Sequence, residues 1–216
     1  MKSTLFLLRP LAVAALFCVS GASHAGLTVF TSQAAFLAAV ENPGTDTFTG
    51  LSITGSTPSP INRAAGVYTY TASVSTTSFF GAGTTANPWL STNTATDTIT
   101  FSGFSGGASA IGGNFFGSDI SGLFAAGSIT LTATDSLGAT STQTITGATT
   151  TSFLGFVSTG TLSSLTVTSV QPVSGFLWPT VDNLTLAVTP VPEPETYALM
   201  LGGLGALAWV ARRRRG

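Results

Sequence analysis

The chain has 216 residues, of which 7% are charged, with a formal net charge of −1. That length suits one ordinary domain. Its single Cys18, His24 and Lys2 all lie in the first 25 residues. There Lys2 and Arg9 precede the apolar stretch LAVAALFCVSGA, and Ser23-His24-Ala25 is a small-residue cleavage site, so 1–25 reads as a secretory signal peptide. The remaining domain, 26–189, then has no disulfide, no His- or Cys-ligated zinc and no Cys–His nucleophile pair. Six acidic residues, Glu41, Asp46, Asp97, Asp119, Asp135 and Asp182, oppose Arg63 there, a net charge of about −5. Without a basic patch, nucleic acid is excluded as a partner.

The domain opens with a predicted strand over 27–30 and a short helix over 34–40, capped by Thr31 or Ser32 and stopped at Asn42-Pro43-Gly44. A strand is predicted over 47–54 and a loop over 57–60. Period-two alternation marks a strand at 67–71. Residues 77–90 set aromatics among Gly and Pro and read as a structured loop. Strands follow at 96–101 and, inside a Gly-dense stretch, at 110–116. The clearest strand is 128–134, with Ile129, Leu131 and Ala133 on one face and Thr130, Thr132 and Thr134 on the other. A turn at 135–138 joins it to a hairpin partner at 140–146, and strands at 152–158, 162–170 and 180–188 complete the set. This pattern predicts an all-β fold, a β-sandwich with jelly-roll or β-helix as variants, plus one short N-terminal helix. Of the chain's fifteen phenylalanines, the thirteen within 26–189 supply a core.

Pro190, Pro192 and Pro194 then alternate with Val191, Glu193 and Glu195, which makes 190–196 an extended, proline-rich boundary. The apolar run 197–211 predicts a single C-terminal transmembrane helix of about 22 Å, shorter than the roughly 30 Å hydrocarbon core. Arg212, Arg213, Arg214 and Arg215, in the basic tail 212–216, read as its cytoplasmic stop. The triplet Pro192-Glu193-Pro194, the apolar helix and the terminal arginine cluster together resemble the PEP-CTERM sorting signal. That resemblance implies export by the general secretion machinery in a Gram-negative bacterium. It also implies recognition by an exosortase, transient residence in the inner membrane, and delivery to the cell surface or to an exopolysaccharide matrix. It says nothing of the activity of the domain in front of the tail.

Within that domain the acidic residues sit beside Thr, Ser or Asn, where aspartate makes turns through its own side chain, so no catalytic pair is assigned and the protein reads as non-enzymatic. Trp89 and Trp178 are the glycan-contact candidates, each with a flat apolar face and a polar edge. Calcium is the one cofactor to weigh, with Asp119, Asp182 and Asn183 as oxygen ligands and Asn114 as a further neighbour. The domain is thus expected to be a matrix protein, with a carbohydrate-binding module, calcium-dependent or not, as the alternative, and a two-carboxylate glycan hydrolase behind both.

Overall fold

The computed structural model describes residues 26–76, 78–190 and 194–213. The signal-peptide reading of 1–25, as well as Pro192, Glu193, Arg214 and Arg215, lies outside the described residues. In chain order, β1 (Leu27–Phe30) leads into α1 (Gln33–Ala38), whose N-cap Ser32 accepts from the Ala35 N–H. Then come β2 (Glu41–Asp46), β3 (Ser56–Pro58), β4 (Ile61–Ala65) and β5 (Tyr68–Val74). The hairpin of β6 (Ser78–Thr84) and β7 (Asn87–Thr92) is followed by β8 (Ile99–Ser102), β9 (Ala110–Ser118) and β10 (Phe124–Ala125). A second hairpin, β11 (Gly127–Asp135) and β12 (Thr140–Ala148), precedes β13 (Phe153–Ser158), β14 (Leu162–Val170), β15 (Trp178–Val188) and α2 (Pro194–Arg213).

These strands make two antiparallel sheets. The nine-stranded sheet runs β1-β13-β9-β15-β7-β6-β3, with β10 beside β9 and β2 beside β15. The six-stranded sheet runs β12-β11-β14-β8-β5-β4. Alternate residues of each face inward and share one core: Tyr70, Ile99, Phe101, Leu131, Leu165 and Val167 from the smaller sheet meet Leu90, Ile111, Phe115, Phe156, Val181 and Leu184 from the larger. On the smaller sheet's outward face, Thr130–Thr144 and Thr132–Thr142 pair hydroxyl to hydroxyl at 2.9 Å, and Thr134–Thr140 at 3.4 Å. The helix α1 seals a second, smaller core, in which Phe36 packs against Phe153 with ring centroids 5.4 Å apart.

The all-β sandwich and its short helix are as the alternation predicted, but three local expectations need correcting. Residues 77–90 are not a loop. Apart from residue 77, which is not described, they form the β6–β7 hairpin, buried on both faces and therefore without a two-residue period. Asn42-Pro43-Gly44 does not end in a turn. It lies within β2, where Asn42 takes φ 51° and Gly44 lies so close to the β4–β5 turn that a Cβ would sit 2.3 Å from the Ala65 carbonyl oxygen. The 47–54 segment is irregular, apart from a parallel bridge from Ile53 to Gly81.

The larger correction concerns the tail. Among the described residues, no helix is long and apolar enough to cross a membrane. The helix α2 has 20 residues, but it takes in Glu195, three glycines and two arginines, which dilute its mean hydropathy. The expectations of a transmembrane helix and of transient membrane anchoring through it are therefore not supported by this helix. Pro194 opens α2, and Arg212 and Arg213 fill its last turn, where cations suit the partial negative charge of a helix C-terminus.

Candidate functional site

The centre of the nine-stranded sheet has two buried faces. Along β15, Val181 enters the sandwich core, so Trp178, Thr180 and Asp182 point outward. Register places Trp178 opposite Ser118, Thr180 opposite both Phe116 and Ser91, and Asp182 opposite Asn114. The outer face therefore gathers hydroxyls, amides and aromatics from β7, β9 and β15. Thr180 Oγ1 lies 2.8 Å from Ser118 Oγ and 3.1 Å from Ser91 Oγ, and Ser91 donates to the Pro179 carbonyl at 3.1 Å. All three hydroxyls are buried and satisfied by one another.

Trp178 stands at the end of this face, half-buried, with Phe176 packed edge-on at 6.2 Å. Two hollows adjoin it. One, of about 240 Å³, is lined by Asn93, Thr94, Ala95, Thr96, Phe176 and Trp178. The other, of about 290 Å³, is lined by Phe80, Thr92, Asn93, Asp119, Ile120 and Trp178. Trp178 and Asn93 are common to both, and among the described residues Asp119 is the one carboxylate lining either. Phe176 and Ile120 are largely exposed, an apolar rim around amide and hydroxyl groups.

Trp89 shares the outer face but lines neither hollow. Its ring meets Phe116 edge-on at 4.9 Å and 87°, and its Nε1 is buried without a partner. It is partly buried and packs against the sheet through Phe116.

The three calcium candidates do not converge. Asp119 Oδ1 accepts from the backbone N–H groups of Ser121 (2.8 Å) and Leu123 (2.9 Å), which closes the 119–123 turn. Asp182 lies opposite Asn114, five residues back along β9, or about 16 Å away. Asn183 does reach Asn114, through a long contact of 3.5 Å from Nδ2 to Oδ1, and takes φ 52° in a bulge. The Asp182 carboxylate is 4% exposed; Oδ2 has Asn87 Nδ2 at 3.4 Å, and Oδ1 has no partner. Burial pushes its carboxyl above the usual range, against weak help from the Asn87 side chain and the Asn183 backbone. Among the described residues, no group of three His, Cys, Asp or Glu side chains is placed to hold a metal ion.

The other aspartates are tied into the fold. Asp46 is buried, taking Arg63 Nε on Oδ2 at 2.6 Å and Nη2 on Oδ1 at 2.7 Å, with the Tyr70 hydroxyl at 2.6 Å and the Phe48 N–H at 2.8 Å. The Asp46 hydrogen bond raises the Arg63 guanidinium above its ordinary value despite burial, while burial and then the Asp46 charge raise the Tyr70 phenol. Asp97 accepts from the Ser75 and Thr76 hydroxyls. Asp135 accepts from Ser158 Oγ at 2.8 Å and from the Ala139 and Leu137 N–H groups. Burial opposes its ionisation, but those hydrogen bonds hold its carboxyl below the usual range.

The sequence offered Trp178 as a candidate, and the structure adds Asn93, Phe80 and Phe176 to the lining of the hollows beside it. Phe80 stood inside the stretch SFFGAG, which reads as a loop, and no sequence pattern singled out Asn93 or Phe176.

Residues 190–215 match the PEP-CTERM protein-sorting motif. The chain carries that motif, which implies export and processing by an exosortase-type system. Neither a curated protein nor a solved structure matches the chain.

Proposed function

We propose that this chain, exported through its PEP-CTERM motif, is a non-enzymatic extracellular protein that holds a neutral glycan of the surrounding exopolysaccharide at Trp178. The observation that carries the reading is the pair of hollows that share Trp178 and Asn93, rimmed by Phe176 and Ile120. Sugar rings offer an apolar C–H face and a hydroxyl edge, which suits an indole bordered by amide and hydroxyl groups. Of the two candidate tryptophans, Trp178 takes this role and Trp89 packs the sheet.

Binding of the purified protein to a panel of neutral and anionic polysaccharides tests the reading. Trp178→Ala is expected to weaken neutral-glycan binding at least tenfold, about 1.4 kcal/mol, while Trp89→Ala acts through stability. The glycan is expected to be recovered uncut. Wild-type binding by the Trp178 variant, or shortening of the bound glycan, would overturn the proposal.

A further inference from the structure

The free edges of the two sheets are unequal. A strand edge presents unpaired N–H and C=O groups, and folded proteins blunt such edges with short strands, prolines or charges. In the nine-stranded sheet, β1 has four residues, β10 two and β3 three including Pro58, while β2 carries Glu41, Pro43 and Asp46. In the six-stranded sheet, β4 has five residues, follows Pro60 and carries Arg63. The opposite edge, β12, has nine residues, TSTQTITGA, with no proline and no charge, and it is largely exposed. Its pairing with β11 is regular from Thr140 to Ile145.

We infer that β12 is a self-association edge that pairs antiparallel with β12 of a second copy, about a two-fold axis through Thr142. In that register Thr142 faces its own counterpart and Thr140 faces Thr144 of the second copy. These are the same Thr–Thr contacts that β12 already makes with β11, at 2.9 Å for Thr132–Thr142 and Thr130–Thr144. Both edges are uncharged at the contact, so an acidic domain meets its copy there without like-charge repulsion. The joined sheets have twelve strands, six from each copy. The two-fold register makes the contact isologous, so assembly through this edge closes at a dimer. A hollow of about 320 Å³ beside the edge, lined in part by Gln143, Ile145 and Phe153, leaves room for the partner's sandwich-facing side chains.

Sedimentation velocity across a concentration series of the purified protein tests this. Wild type is expected to pass from monomer to dimer with rising concentration. Thr142→Lys and Thr142→Glu, each placing like charges on the axis, should raise the dimer Kd at least tenfold, and an equimolar mixture of the two should dimerise again. Thr142→Cys is expected to form an intermolecular disulfide under mild oxidation, because directly opposed Cα atoms in an antiparallel pair stand about 4.5–5.5 Å apart, within disulfide reach. Val67→Cys, in the exposed β4–β5 turn, should not. The inference fails if wild type stays monomeric throughout, if the charged variants dimerise like wild type, or if Thr142→Cys crosslinks no faster than Val67→Cys. Circular dichroism of each variant separates loss of pairing from loss of fold.

Discussion

Replacing Asp46 by alanine should destabilise the domain by about 3–5 kcal/mol, the cost of removing one partner from a buried ion pair. The structure accounts for that figure group by group. The substitution strips Arg63 of both charge-assisted hydrogen bonds, at 2.6 and 2.7 Å, and leaves a guanidinium whose side chain is 18% exposed. It also orphans the Tyr70 hydroxyl and the Phe48 N–H, each at about 1–3 kcal/mol when buried and unpaired. Arg63 stays 5.3 Å from the Phe48 ring, a contact that does not neutralise it. In urea the midpoint should fall with little change in slope, and the melting temperature should drop by about 6–20 °C for a domain of this size. Arg63→Ala should cost less, because Asp46 keeps Tyr70 and the Phe48 N–H, and a double-mutant cycle should give a coupling above about 1 kcal/mol. A loss below about 1 kcal/mol for Asp46→Ala, or additive single variants, would refute the reasoning.

Asp182→Asn should stabilise the protein at pH 7 by about 1 kcal/mol, since it removes a buried charge with one unpaired oxygen. Its carboxyl is raised in the fold, so its contribution is fully present below the unfolded value near 3.9 and is lost as pH rises through the folded value. Variant and wild type should therefore converge near pH 3 in thermal melts. Asp135 has the opposite sign. Its carboxyl is depressed, so it contributes stability above about pH 4 that is lost as pH falls through the folded value, and Asp135→Asn should flatten the acid limb of a stability profile. Gly44→Ala should cost about 1–3 kcal/mol in urea denaturation, because its Cβ meets backbone at Ala65 and Gly66 and no flexible side chain can move aside.

Strands with one wet face were legible in the sequence. Ile129, Leu131 and Ala133 go to the core and Thr130, Thr132 and Thr134 to solvent, so the hairpin of β11 and β12 can be read by eye. The β6–β7 hairpin could not be, because Phe79 and Ala82 are both buried although they stand three positions apart and so on opposite faces of the strand, and the period vanishes where both sheet faces are covered. Asn42, Pro43 and Gly44 looked like punctuation, yet Gly44 is required by a neighbour 21 residues away in the chain, the Ala65 carbonyl. Arg63 advertised a need for an acid, but six were on offer and tertiary structure alone chose Asp46. Trp178 was readable as an amphipathic aromatic. Its company, Asn93 from the loop after β7 and Phe176 from the loop before β15, depends on strands that meet across about 80 residues of sequence.

β15 has a partner along most of one side, β9, and two in succession on the other, β7 at Thr180–Val181 and β2 from Leu184 onward. It is thus the strand on which three distant segments hang, and it is also the last strand before the sorting motif. Passing N-terminus first across a membrane, the domain would have β2, β7 and β9 on the far side before the strand they share arrives. Closure of the larger sheet would come at the end of translocation, immediately before residues 190–215 emerge. Folding and sorting are in that sense scheduled together: a chain cut short of Trp178 would lack both the strand that completes the sheet and the motif that directs it onward, so that fragments would carry no address.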